Sequence, residues 1–440
     1  MKARALLLLG ALAATAAADP VEGRWDVTVE RRGWRPETCH ALLVLSRSGK
    51  TWSGTITFRV LMNGNTLRLE DVRVRGREIS FRIPGLDYAV EAKAGRQGLD
   101  GTCTSGQGQR FPLKAVRVVV PKVDLFEKGL AFPADLPKGD AGKLGLDEDA
   151  LHLLVARAAE LDTDALLVLK DGRVVCERTF GREPGPIPTM SVTKGVTGIV
   201  AAAMLEDGLL PSLDAPVSTW LPEWKEGARG AVTVRHLLTH TSGIAHDANA
   251  HALNAQDDRV AWVLGRDVRA PGTEWSYNND AVALLSGVLA KAAGKPVDAY
   301  AAERLFAPLG IGDARWNRDK AGNTVTYAEL WLTARDLARV GRLVADGGKA
   351  RGKQVLKPDT VALLGSDATP VAAYQGLLWF RILDAQGTVV GLRHDGWLGQ
   401  HLVIYPGKGL VGVRLRRGAD RAREGADFGE FPGLVGALVP

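Results

Sequence analysis

Near residue 120 the chain changes its hydrophobic period, and that change limits it to a fold of two parts. Before it, apolar residues recur at every second position, the repeat of a strand with one buried face. Such runs cover 25–30, 41–46, 51–60, 66–75, 78–83, 88–92 and 111–119. Turn signals such as Ser48-Gly49-Lys50, Asn63-Gly64-Asn65 and Gly106-Gln107-Gly108 separate them. Six or seven antiparallel strands predict a small all-β domain, barrel or sandwich, over 19–120. Pro121, Pro133 and Pro137, with scattered glycines, predict a linker over 121–143.

From 144 the period becomes helical. Asp147 is placed to cap a helix with the apolar positions Leu151, Leu154, Val155 and Ala158. Strands at 165–169 and 174–179 follow, joined by the turn Asp171-Gly172. After Pro184, Pro186 and Pro188 comes a helix over 191–205. It is apolar nearly all round, the mark of a buried core helix. Residues 210–365 read as helix and loop, and strands return at 378–383, 389–393, 401–405 and 410–415. A sheet drawing strands from both ends of the domain, with helices inserted between them, is an α+β layout for 144–440. The opening Gly23-Arg24-Trp25 of the all-β part resembles small ligand-binding barrels.

Residues 1–18 read as a secretory signal peptide. Lys2 and Arg4 precede an uncharged run of about 14 residues, short of the 20 or so that span a bilayer, and Ala16-Ala17-Ala18 offers a cleavage site. The mature chain is therefore expected in the periplasm or outside the cell, without a membrane anchor. Hydrophobic content of 46% and charged content of 24% exclude a disordered tail and a multi-span membrane protein. Residues 19–120, with 17 Lys/Arg against 11 Asp/Glu, carry a charge equal to the whole net +6, since the leader and the remainder cancel. That part is where an anionic cell-envelope polymer would bind, if one is a partner; nucleic acid is not expected. Cys39 and Cys103 both fall in the all-β part and suggest a disulfide in an exported chain, whereas Cys176 reads as a buried thiol.

Three motifs can carry chemistry. Ser191-Val192-Thr193-Lys194 puts a hydroxyl and an amine on one helix face at i and i+3, at a helix start whose backbone N–H groups can meet an oxyanion. A lysine kept neutral by apolar surroundings can take the hydroxyl proton. Tyr277-Asn278-Asn279, at the mouth of a helix, supplies a phenol as a second acid–base group and the Asn279 amide to hold Lys194 and a substrate carbonyl. His394-Asp395-Gly396 ends a strand that can pair with substrate, and the N–H of Trp397 can complete an oxyanion hole with that of Ser191.

In this order and spacing the motifs resemble the S-x-x-K, Y-x-N and K-T-G/H-x-G set of the serine β-lactamase and penicillin-binding-protein superfamily. The flanking Val234-Arg-His-Leu-Leu-Thr-His-Thr-Ser-Gly-Ile244, Pro271-Gly-Thr, Leu332-Thr-Ala-Arg-Asp-Leu-Ala-Arg-Val-Gly341 and Gly399-Gln400 are similar to its class C branch, which holds esterases, D-amino-acid peptidases and 6-aminohexanoate-dimer hydrolases. The resemblance covers about 144–415. It implies a β-lactamase/transpeptidase-like antiparallel sheet with helices and a mainly helical insertion. Ser191 would be the nucleophile, Lys194 and Tyr277 would activate it, and Asn279, His394, Gly396 and Trp397 would contact a small ester, amide or peptide. No cofactor or metal is implied. His-Asp-Gly in place of Lys-Thr-Gly would repel a substrate carboxylate if Asp395 points inward, which favours an ester or amide over a β-lactam.

Other readings are weighed against this one. His236, His240, His246, Asp247 and His251 invite a metal, but Leu237 stands where a metalloprotease helix carries glutamate, so a bracing role is expected for His236 and His240. Penicillin-binding, β-lactamase or D-alanyl-peptidase activity, or a non-catalytic acylated sensor, is the alternative function.

Overall fold

The computed structural model describes residues 19–31, 37–59, 66–96, 98–247, 250–366, 368–418 and 427–439. The leader 1–18 and the turn Asn63-Gly64-Asn65 lie outside the described residues. Two units divide the chain: one runs to Phe58 and resumes over Leu67–Val119, and the other is Arg59–Thr66 with Val120–Pro440.

The first unit is one antiparallel sheet of β1 (Gly23–Arg31), β2 (Glu37–Ser48), β3 (Thr51–Phe58), β4 (Thr66–Arg68), β5 (Glu70–Arg75), β6 (Glu78–Ile83), β7 (Tyr88–Ala94), β8 (Leu99–Ser105) and β9 (Arg110–Arg117). The order β4-β3-β2-β1-β9-β8-β7-β6-β5 curls into a nearly closed barrel, with the Leu69 N–H bonded to the Gly54 carbonyl at 2.9 Å between its ends. Alternate residues fill the interior, among them Trp25, Leu43, Phe81, Val90 and Leu113. The Arg117 guanidinium lies 4.2 Å from the Trp25 ring centroid. The sequence reading missed β8, because Asp100-Gly101-Thr102 carries no apolar alternation. On the outer face Arg75, Glu78, Lys93, Asp100 and Lys114 stand opposite one another in successive strands, so the local charge alternates in sign.

Cys103 belongs to the interior cluster of this unit, and Cys39 packs against it. Cys39 lies on β2 and Cys103 on β8, with β1 and β9 between them.

In the second unit the expected linker is packed instead. Phe126 and Lys138 bridge in parallel to Glu177 and Val174, and Asp135 pairs with Arg339 at 2.7 Å. The helix α1 (Glu148–Glu160) begins where Asp147 Oδ1 accepts the Ala150 N–H at 2.9 Å. The hairpin β10 (Ala165–Lys170) and β11 (Arg173–Arg178) joins the C-terminal strands Phe380–Leu383, Val389–Gly396, Gln400–Tyr405 and Leu410–Leu415 in a six-stranded antiparallel sheet. The last strand lies beside β10, so the sheet closes the ends of the chain around the helical insertion. The Ala334–Ala345 helix covers one face, where Gly341 sits against Val411 and Leu402; Phe431–Gly436 covers the other, where Gly412 meets Val435. The core helix α2 (Val192–Glu206) is buried from Val192 to Met204. Among the described residues no helix is long and apolar enough to cross a membrane.

Candidate active site

Local geometry at the head of α2 leaves the Ser191 hydroxyl available. The N–H of Thr189 bonds to the Leu330 carbonyl at 2.8 Å, and the Thr193 hydroxyl accepts the Leu330 N–H, which pins the turn before the helix. Met190 then takes a left-handed φ of 48°, a conformation a residue with a Cβ holds only when its surroundings impose it. Ser191 stands at the N-cap position, yet its side chain makes no capping bond. Its Oγ lies 2.9 Å from Lys194 Nζ.

Lys194 is fully buried, and its second hydrogen bond goes to the Tyr327 carbonyl at 2.8 Å. No carboxylate offsets the lost hydration, so burial alone drives its pKa well below the usual lysine range. Burial thus favours the neutral amine, the form that can accept a proton. A capping serine beside an exposed lysine is excluded. Tyr277 hydrogen-bonds Ser191, and its ring centroid is 4.9 Å from Lys194 Nζ. Burial pushes the phenol up to about 12, with the Ser191 bond working against that rise, so it rests protonated. The basic group of the pair is Lys194.

Asn278, not Asn279, anchors the tyrosine loop: its side chain caps the Asn279–Ala293 helix at the Ala281 N–H and donates to the Ile244 carbonyl, at 2.9 and 2.8 Å. Asn279 is half-buried on the first turn of that helix, and among the described residues no hydrogen bond joins it to Lys194; Tyr327 does that work. Nothing in the sequence around Tyr327 signalled this, since the contact uses backbone.

His394 is buried between the rings of Trp379 and Phe380, with Gly195 of α2 alongside. Burial and the nearby Lys194 hold its pKa well below the usual histidine range. It thus presents a neutral ring beside α2, not a cation. Asp395 alternates to the opposite side, where it pairs with Arg393 and, at 2.8 Å, with His401 Nδ1. The carboxylate does not face Ser191. Gly396 brings the strand end against the backbone before the nucleophile, since a Cβ there would lie 2.8 Å from the Thr189 carbonyl oxygen. Trp397 follows with an exposed ring. The histidines 236 and 240 brace local structure: His236 completes a capping box with Thr233, and His240 Nδ1 accepts the Asn278 N–H at 3.1 Å.

The Beta-lactamase family model matches residues 153–428, which hold Ser191, Lys194, Tyr277 and the His394 strand. The chain belongs to the Beta-lactamase family. Within it, the chain is 30% identical over 206 residues to the esterase EstB of Burkholderia gladioli, a match covering 40% of this chain and 52% of that one. The chain thus spans about half the length of that relative. The 6-aminohexanoate-dimer hydrolase of Paenarthrobacter ureafaciens is 26% identical over 371 residues, 76% of this chain and 90% of its own. The solved structure of EstCE1, a hydrolase with promiscuous acyltransferase activity, superposes with a TM-score of 0.54 at 19% identity, covering 67% of this chain and 99% of that one. That likeness shows the fold of the second unit.

Proposed function

We propose that this chain is an exported serine hydrolase that cleaves a small ester, or an amide, through an acyl-enzyme on Ser191. The observation that carries the reading is a lysine amine buried without a carboxylate, 2.9 Å from a serine oxygen that caps nothing. Ser191 Oγ attacks the substrate carbonyl carbon as its proton passes to neutral Lys194. The tetrahedral oxyanion is met by backbone N–H groups at the α2 start and at Trp397. Collapse breaks the bond to the leaving group, which takes a proton relayed from Lys194 through Tyr277. Water then attacks the acyl-enzyme, gives its proton to the same pair, and releases the acid.

The neutral His394 ring offers no cation to a substrate carboxylate, which favours substrates without one beside the scissile bond; Asp395, turned to Arg393 and His401, adds no repulsion. Esterase and amide-hydrolase relatives support that class. Export rests on the leader motif, and an alkaline-phosphatase fusion to residues 1–18 tests it. Binding of envelope polymer by residues 19–120 belongs to the same proposal and is tested by pull-down with cell-wall material. The catalytic reading is tested with p-nitrophenyl esters, nitrocefin and D-alanyl peptides. Ester turnover that vanishes in Ser191→Ala supports it. Turnover of the peptides or nitrocefin alone moves the chain to the penicillin-binding reading, and stoichiometric acylation without turnover makes it a sensor.

A further inference from the structure

The segment Val234–Ile244 is the most distinctive stretch of the sequence that the three motifs leave without a task, and the structure shows what it holds. It runs beside the loop that delivers Tyr277. The Arg269 N–H bonds to the Gly243 carbonyl at 2.9 Å, Gly272 N–H to Thr241 at 2.7 Å, and Ser276 N–H to His240 at 2.9 Å. His240 makes the contact nearest the phenol. Its carbonyl takes the N–H before Tyr277, its Nδ1 takes the N–H after it at 3.1 Å, and its ring lies 4.7 Å from the Tyr277 ring at a 36° tilt. One residue therefore fixes the tyrosine from both sides in sequence and from one face.

His240 does this from a left-handed backbone at φ 57°, uncommon for a residue other than glycine, and it is almost wholly buried. Because Nδ1 accepts a backbone N–H, the ring proton sits on Nε2 and the imidazole is neutral. We infer that His240 is the positioning residue for Tyr277, setting the phenol's distance and angle to Ser191 without touching substrate. The inference rests on the hydrolase reading above. Its consequence is chemical: loss of the Nδ1 acceptor should lower turnover and leave substrate binding intact, since a displacement of about 1 Å at an acid–base group can cost about 100-fold.

The test compares His240→Asn, His240→Gln and His240→Phe in the full chain with a p-nitrophenyl ester. Asparagine places its amide oxygen near the Nδ1 position and tolerates the left-handed backbone; glutamine reaches the Nε2 position instead; phenylalanine keeps the ring and removes the acceptor. His240→Phe and His240→Gln should lose about 100-fold in kcat with KM within about threefold, and His240→Asn should return to within about tenfold of the parent. Retention of kcat within threefold in His240→Phe overturns the inference, as does equal impairment of Asn and Gln. Should His240→Phe not fold, the Asn–Gln pair decides alone. If Ser191→Ala hydrolyses the ester as fast as the parent, the hydrolase reading fails and this inference with it; if only the His240 series fails, the reading stands.

Discussion

Lys194→Met separates the chemistry of the amine from its effect on stability. Methionine keeps the apolar stem and removes Nζ with its bonds to Ser191 Oγ and the Tyr327 carbonyl, at 2.9 and 2.8 Å. A positioned general base contributes about 10²–10⁴ in rate, which is about 3–5 kcal/mol of transition-state stabilisation. Stability moves differently. Burial favours the neutral amine in the folded chain, so below the ordinary lysine pKa of 10.5 the unfolded chain binds more protons. Stability therefore falls as pH drops from 10.5 toward the folded pKa, by about 1.4 kcal/mol for every tenfold change in proton affinity. Methionine removes that penalty but leaves the buried Tyr327 carbonyl without its donor, a cost of about 1–3 kcal/mol. The expected result is a loss of at least about 100-fold in kcat/KM, with a pH dependence of Tm between 7 and about 10 that is flatter than in the parent. The assays are ester hydrolysis and thermal unfolding across that range. Activity within tenfold of the parent, or an unchanged pH slope of Tm, refutes the reasoning.

Other outcomes follow from the same geometry. Tyr277→Phe should lower kcat by about 100-fold at nearly constant KM and melting temperature, measured by steady-state kinetics; the phenol adds no titration below its value of about 12, so the parent's activity should rise with pH through the depressed Lys194 ionisation and stay level to pH 10. Asp395→Asn removes the partner of mostly buried Arg393 and should cost about 1–3 kcal/mol in urea unfolding, with kcat/KM of the folded protein within threefold; a collapse of kcat/KM would instead place the carboxylate in the substrate path. Gly243→Ala sets a Cβ 1.8 Å from the Arg269 carbonyl oxygen at φ +68°. It should cost at least about 2 kcal/mol by thermal unfolding and reduce activity through the tyrosine loop.

Much of this was readable in the chain because local rules and tertiary packing agree there. The apolar run after Ser191, the cap at Asp147 and the alternating strands of the first unit each state their partner surface in their own period. The approach of the Lys194 amine to the Ser191 hydroxyl was legible for the same reason, since a spacing of three residues at one helix start fixes their separation. What escaped is what long-range backbone contacts decide. Tyr327 holds Lys194 through a carbonyl that every residue type possesses, and β8 pairs through a glycine-bearing segment with no apolar rhythm. The direction of Asp395 was open until the pleat of its strand was known, and the pleat sends it to Arg393 and His401.

The central claim is that one serine hydroxyl in this chain is made reactive by a neutral amine. A fluorophosphonate probe, read by intact mass and peptide mapping at neutral pH, addresses it directly. A single adduct on the peptide bearing Ser191, absent in Ser191→Ala and strongly slowed in Lys194→Met, is the expected result. An adduct on another residue, or equal labelling of the Ser191→Ala chain, would contradict it.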